Sequence, residues 1–258
     1  MTQTSQGLFE AIRSIARFIR TSNKVIVLTG AGFSTPSGIP DFRSEGSGLW
    51  TRFLPMEVAS LSIFRHNPEK FFDWLRPLAS HMDNANPNIA HYALTRLEKA
   101  GFIQAIVTQN IDGLHTRAGS QNVYEVHGTF NTLTCTGCYH QYKSAEFLDD
   151  FINSGKIPHC NDCSRILKPD VILFEEQLPI RIWQKAEAAS RECDLMIVAG
   201  TSLEVMPSAG LPVKAVDNKA RLVIINNTPT YIDVRADIVL YENVADVIPV
   251  IADEVLKE

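Results

Sequence analysis

The sequence predicts an α/β fold: a Rossmann-like, doubly wound parallel sheet with a smaller inserted domain, part zinc ribbon and part helical. Three observations predict it. Short apolar runs alternate with amphipathic stretches of helical period over most of the 258 residues. The first run, residues 24–28, enters Thr29-Gly30-Ala31-Gly32, as a strand enters the glycine loop of a nucleotide site. Residues 130–168 interrupt the alternation with two C-x-x-C pairs.

The elements follow in order. Leu8, Ile12, Ile15, Ala16 and Ile19 recur at helical spacing and predict a helix over 8–20. After the strand at 24–28 and its glycine loop, residues 44–85 are rich in aromatics around Phe64 and Phe71-Phe72-Asp73-Trp74, and we expect a helical insertion there. Asn86-Pro87 suits an N-cap and first helical position, with a helix over 90–99 stopped by Gly101. Strands are expected at 102–108 and 122–126, and later at 195–199, 222–225 and 237–241; a closing helix spans about 244–256. The expected division is therefore 1–44, 86–129 and 169–258 for the nucleotide-binding domain. Segments 45–85 and 130–168 together form the small domain.

Composition bounds the function. With 45% hydrophobic and 21% charged residues the chain matches an ordinary globular protein. No stretch approaches the roughly 18 unbroken apolar residues of a membrane helix. Residues 1–7 lack the basic flank and apolar core of a secretory signal, so a cytoplasmic location and no membrane partner are expected. A net charge of −5 gives no basic face for nucleic acid. A monomer is the expected state.

Five cysteines are present, and four form Cys135-x₂-Cys138 and Cys160-x₂-Cys163. Four thiolates at this spacing complete a tetrahedral zinc site with no position left for water, which makes the metal structural. A redox pair is the competing reading. Cys193 remains over and is expected to be a small buried residue.

In residues 30–43, Gly30 and Gly32 let backbone N–H groups approach a phosphate. There is no third glycine of the usual dinucleotide fingerprint, and a G-x-G after a strand is equally consistent with a plain turn. Pro36, Gly38 and Pro40 then constrain the chain and present Asp41, Phe42 and Arg43, an arginine suited to a diphosphate. Gln109, Asn110, Ile111 and Asp112 lie at the end of one expected strand, and His127 ends another. Strand ends are where open α/β sheets bind ligands, although capped turns use the same residue types. A histidine titrating near neutrality suits a base that must lose and regain a proton.

Gly-Ala-Gly-x-Ser-x-x-Ser-Gly-Ile-Pro-x-Phe-Arg resembles the signature of the sirtuin family of NAD-dependent deacylases, with every fixed position filled. Thr-Gln-Asn-Ile-Asp-Gly-Leu-His at 108–115 and Val-His-Gly at 126–128 resemble two further family motifs. The resemblance implies an NAD-dependent protein-lysine deacylase that transfers the acyl group to ADP-ribose, giving nicotinamide, O-acyl-ADP-ribose and free lysine. NAD is then a co-substrate, one zinc ion is structural, and acyl-lysine peptides are the partners. His127 and Asn110 take catalytic roles. Gly30, Ala31, Gly32, Thr35, Phe42, Arg43, Gln109, Ile111, Asp112, Thr201, Ser202, Asn226, Asn243 and Val244 are implied to contact the cofactor. The rivals are a mono-ADP-ribosyltransferase or NAD glycohydrolase using the same pocket, and a silent recognition module.

The match departs at one point. The family carries Phe-Gly-Glu in the segment that pairs with the substrate peptide, whereas this chain has Phe174-Glu175-Glu176. A glutamate there is expected to favour peptides with Lys or Arg near the target. Relatives that prefer acidic acyl groups carry Tyr-x-x-Arg in the helical insertion; Leu75 and Leu78 take those positions here, with Arg76 between them. The resemblance thus implies acetyl or longer neutral acyl groups rather than succinyl.

Overall fold

The computed structural model describes residues 5–41 and 53–257. Helix α1 (Ser5–Thr21) leads into β1 (Val25–Thr29). Helices α2 (Pro55–Val58), α3 (Leu61–His66) and α4 (Pro68–Asn84) form the helical insertion. Then come α5 (Ile89–Lys99), β2 (Ala105–Thr108), α6 (Leu114–Arg117) and β3 (Val123–Glu125). The cysteine-bearing part holds β4 (Gly128–Cys135), β5 (Gln141–Lys143), α7 (Ala145–Ser154) and β6 (Leu167–Val171). The chain closes with α8 (Ile180–Glu192), β7 (Leu195–Ala199), α9 (Leu211–Asp217), β8 (Arg221–Ile225), β9 (Ile238–Leu240) and α10 (Val244–Leu256).

Six strands pair in the order β3-β2-β1-β7-β8-β9, all parallel. Every residue of β1 and β7 is buried, as a strand covered on both faces requires. Alternation along β1 divides the core. Val25 and Val27 pack with Ile15 and Ile19 of α1, Leu94 of α5 and Ile248 of α10. Ile26 and Leu28 face the opposite side, with Ala186 of α8 and Leu211 and Ala215 of α9. Burying such a side chain contributes about 1.5–3 kcal/mol, so both helical layers are driven on by the sheet.

A second sheet, β5-β4-β6, is antiparallel and small. Its own core is Leu133, Cys135, Tyr142, Cys160 and Leu167. A separate cluster joins it to the helical insertion through Phe64, Phe71, Phe72 and Leu75 against Phe151 and Leu173. The architecture is the predicted one: a Rossmann-like parallel sheet plus a small module holding the four cysteines.

Local differences have physical reasons. The N-cap of α5 is Asn88, two residues later than Asn86: its side chain accepts from Ala90 N at 2.9 Å, and His91 Nδ1 accepts from Asn88 N at 3.2 Å. That reciprocal pairing satisfies donors at the helix start that Asn86 would leave open. Residues 102–104 are not strand, because Phe102 N donates back to Leu97 O at 3.0 Å while Gly101 turns the chain at φ +84. Helices α6 to α9 are additional to the sequence reading; α8 buries only Ala186 and Ser190, too little for a clear helical stripe.

Candidate active site

Strands β1, β2, β7 and β8 end on the same edge of the large sheet, and the strand order reverses between β1 and β7. This is the switch point at which doubly wound sheets leave a crevice. A cavity of about 680 Å³ opens there. It runs from the loops after β1, β7 and β8 to the residues following β6 and to one face of α4.

The glycines permit a close crossing of two turns. Gly32 N donates to Gly200 O at 2.9 Å, and a Cβ on Gly200 (φ +64) would lie 2.4 Å from Phe33 N. A Cβ on Gly30 would lie 2.6 Å from that of Thr201. Gln109 Nε2 donates to Thr201 Oγ1 at 3.0 Å, tying the β2 turn to the same crossing.

A buried polar network lies beneath the loop. Asn110 Nδ2 donates to Gly30 O and to Ser34 Oγ, each at 3.0 Å, and Ser34 Oγ donates to Asp112 Oδ2 at 2.7 Å. Both amide hydrogens of Asn110 are thereby engaged, which leaves Oδ1 as the acceptor available to a ligand. Burial pushes the Asp112 carboxyl up, while Leu114 N–H, Ser34 and the charge of Arg117 pull it down. Glu125, at the end of β3, is raised to about 7 by burial and then by the charge of Asp112.

His127 sits where the chain leaves β3 and enters β4. Its Nδ1 lies 3.1 Å from Gln109 O, a group that can only accept, so Nδ1 carries the proton and Nε2 holds a lone pair. Ser208 Oγ lies 3.3 Å from Nε2 and donates to Val205 O at 2.8 Å. Burial holds the imidazole pKa below its ordinary 6.5, against the raising effect of the Gln109 carbonyl. The ring is thus neutral and basic near pH 7. Gly128 allows this placement: at φ +77, a Cβ would lie 2.0 Å from Asp170 O. Ile172 N donates to His127 O at 2.8 Å, so the segment after β6 shares the histidine's backbone.

A second pair of histidines supports the loop from below. His91 and His115 are fully buried with ring centroids 4.7 Å apart, and Phe33 packs on both. Thr29 Oγ1 donates to Thr108 Oγ1 and so accepts from His115 Nε2, at 2.9 Å each. Burial depresses both imidazoles, His91 to about 3, so both are neutral.

The other wall is apolar. Trp74, Leu75, Leu78 and Met82 of α4 face the cavity together with Ile39, Val171 and Leu173. Arg76 is exposed, and its guanidinium lies over Gly155, away from this wall. At the rim, Glu176 is held by Lys168 Nζ at 2.9 Å and by Leu173 N at 2.8 Å. Glu175 accepts from Ser62 N at 2.9 Å.

Of the residues expected from sequence, the cavity brings together Ala31, Gly32, Thr35, Gln109, Asn110, Ile111, Asp112, His127, Thr201, Ser202 and Asn226. Gly30 lies just behind, through its carbonyl on Asn110. Asn243 and Val244 are not among the lining residues: Asn243 caps α10 by accepting from Ala245 N, and Val244 is in the core. Phe42 and Arg43 lie outside the described residues. Sequence reasoning did not single out Ser34, Ser208 or Glu125. Ser34 stood within the glycine-loop motif, but Ser208 carries no motif signal.

Cys135, Cys138, Cys160 and Cys163 converge, with all four sulfurs within 4.8 Å of one another. Cys135 and Cys163 are 3.3 Å apart and Cys138 and Cys160 3.5 Å, too long for disulfides. Four thiolates bound to zinc at about 2.3 Å would stand roughly 3.8 Å apart, close to this spacing. Gly137 N–H and Cys138 N–H point at Cys135 Sγ, and Tyr142 Oη lies 3.2 Å from Cys160 Sγ, so donors surround the sulfurs as thiolate requires. The donor set fits a structural zinc. Cys193 is buried apart from them, its thiol pushed up to about 12, chiefly by burial.

A cleft at the switch point of a parallel sheet, floored by a buried polar network and edged by a neutral histidine, marks an α/β protein with a ligand site of the nucleotide-binding type. The chain belongs to the Sir2 family, whose profile matches residues 30–207. It is 42% identical over 249 residues to NAD-dependent protein deacylase 2 of Archaeoglobus fulgidus, covering 96% of this chain and 97% of that one. It is 44% identical to NAD-dependent protein deacetylase 2 of Caldanaerobacter subterraneus, covering 92% of each. Among solved structures, a Sir2 variant with a deacetylated p53 peptide and 3′-O-acetyl-ADP-ribose aligns with TM-score 0.89 and 35% identity, over 94% of this chain and 98% of that one. Sir2Tm bound to a propionylated peptide aligns with TM-score 0.84 and 34% identity, over the same shares.

Proposed function

We propose that the cavity at the β1/β7 switch point is one reaction chamber that NAD enters from the sheet side and acyl-lysine from the rim. The chain is an NAD-dependent protein-lysine deacylase of the Sir2 family. The observation that carries the assignment of roles is the geometry of His127, which lines the cavity with its proton on Nδ1 and its lone pair on Nε2, beside Ser208 Oγ. NAD would supply C1′ of the nicotinamide ribose to the acyl oxygen as the bond to nicotinamide breaks, and water would then release the lysine amine and leave the acyl group on a ribose hydroxyl.

The residues divide the work as follows. Backbone around Gly30, Ala31 and Gly32, with Thr35, Phe42 and Arg43, holds the diphosphate. Thr201, Ser202 and Asn226 take the adenosine side, with Asn243 and Val244 at the adenine. Gln109 lies along the nicotinamide ribose, Ile111 lines the nicotinamide pocket, and Asn110 and Asp112 are the polar groups around nicotinamide and its ribose, with Oδ1 of Asn110 as an acceptor. His127 takes a hydroxyl proton at Nε2 while Gln109 O fixes its tautomer. Holding both reactants in one chamber contributes through orientation. Residues 1–44, 86–129 and 169–258 act as the nucleotide domain, and 45–85 with 130–168 as the small domain.

Partners are acylated peptides; a monomer working in the cytoplasm, without nucleic acid or membrane, completes the reading. No described helix is long and apolar enough to cross a membrane. Leu75 and Leu78 make this wall apolar, and among the described residues no Lys or Arg lines the cavity, which favours acetyl and longer neutral chains. The decisive experiment is mass spectrometry of products from acetyl-, butyryl- and succinyl-lysine peptides with and without NAD. Nicotinamide and O-acyl-ADP-ribose should form only with peptide present, and fastest with neutral acyl groups. Nicotinamide release without peptide would overturn the assignment, and faster desuccinylation would overturn the acyl preference. Leu78→Arg should shift turnover toward succinyl.

A further inference from the structure

We propose that Glu175 is a positioning residue that latches the rim of the peptide groove to helix α3, and that this tether, rather than the carboxylate's charge, governs peptide affinity. The inference rests on the reading that acyl-peptide lies along the rim formed by residues 172–176.

The backbone gives the first observation. Glu175 adopts φ +75, a left-handed conformation that glycine takes freely and an L-residue takes at a cost. A glutamate held there needs a compensating contact, and one is present. Its Oε2 accepts from Ser62 N at 2.9 Å, at the first turn of α3. The Ser62 hydroxyl and the charge of Arg65 also face the carboxylate and hold its pKa below the usual range.

The second observation is what this bond continues. Phe174 N donates to Ala59 O and Leu61 N donates to Phe174 O, each at 3.0 Å, so three consecutive ties join residues 174–175 to residues 59–62. Residues 59–62 are themselves held firmly: Ser60 Oγ donates to Met56 O at 2.8 Å and accepts from Ile63 N at 3.2 Å. Ala59 and Glu175 both line the cavity. The neighbouring Glu176 points the other way, to Lys168 and Leu173 N. Two adjacent glutamates therefore stretch one rim between β6 and α3. Ser62 N–H holds Oε2 of Glu175 against α3, so the side chain fixes the rim backbone that a passing peptide meets.

Reach and charge can be separated. Glu175→Gln keeps an oxygen within reach of Ser62 N–H and loses the charge; Glu175→Asp keeps the charge and loses the reach. Glu175→Gly removes both and relieves the backbone. Steady-state kinetics on acetyl-lysine peptides flanked by Lys/Arg or by Asp/Glu should show peptide KM raised about fivefold in Glu175→Gly and Glu175→Asp, with kcat and the KM for NAD within about twofold of wild type. Glu175→Gln should stay near wild type, and the preference between basic and acidic peptides should be the same in all forms. A charge selector gives the reverse: Glu175→Asp stays near wild type while Glu175→Gln loses its basic peptides, and that result overturns the latch. Unchanged peptide KM in both Glu175→Gly and Glu175→Asp also overturns it. If wild type releases no lysine at all, the proposed activity has failed; if wild type turns over and the pattern is absent, only the latch has.

Discussion

The two sheets are held together by different physics. In the large sheet β1 and β7 are buried along their whole length, and two separate hydrophobic layers close on them. In the small sheet burial alternates along β6, and the core has five residues, two of which are cysteines of the metal cluster. Apolar area alone sustains the first. The second has too little, so coordination bonds take the place of a core.

Removing the metal should break that contrast most visibly. Cys160→Ala, or treatment with a strong chelator, is expected to forfeit most of the roughly 10 kcal/mol that a structural zinc gives a small module. Hydrogen exchange in β4 to β6 should rise steeply while β1 and β7 stay protected, and turnover should vanish. Full zinc content and unchanged exchange in Cys160→Ala would contradict the structural role.

A smaller loss is expected at the junction of the two regions. His127→Ala should lower kcat about 10²- to 10⁴-fold with an unchanged melting temperature, since the ring contributes chemistry more than packing. Because burial holds its pKa below 6.5, the acidic limb of kcat/KM should fall below that of an exposed histidine. Glu125, raised to about 7, titrates nearby, so the limb is best measured in Glu125→Gln. A limb above 6.5 in that variant would contradict the assigned environment.

The smallest effect tests the large sheet. His91 is neutral in the fold down to about pH 3, whereas an unfolded histidine gains its proton near 6.5. Below 6.5 the unfolded chain binds the extra proton. Stability is therefore complete above that pH and falls by about 1.4 kcal/mol per pH unit per buried histidine down to the folded pKa. His91→Asn should flatten the dependence of the urea midpoint on pH between 6.5 and 4. An equally steep slope in the variant would place the titration elsewhere.

The same contrast explains what the sequence made legible. Strands of the large sheet announce themselves because both faces are buried, and the run at 195–199 and the helix at 244–256 fall where they were expected. The cysteines announced the small module by spacing alone. Helix α8 did not, because it buries so little. In the site, Asn110, Asp112 and His127 stood in motifs, whereas Ser208 reaches the histidine across 81 positions of sequence, which no local pattern records. Asn243 and Val244, expected at the cofactor, also serve the fold as a helix cap and a core valine, roles for which the sequence uses the same residue types. Glu175 was visible as a departure from the family pattern. Its partner was not, because Ser62 lies 113 positions away in sequence and carries no motif.

His127 has one further consequence by virtue of its address. Its ring leans on the carbonyl after β2, its own carbonyl receives Ile172, and the next residue opens the small sheet. The base is tied by backbone to both walls of the cleft at once, so neither wall can be repositioned without reference to it.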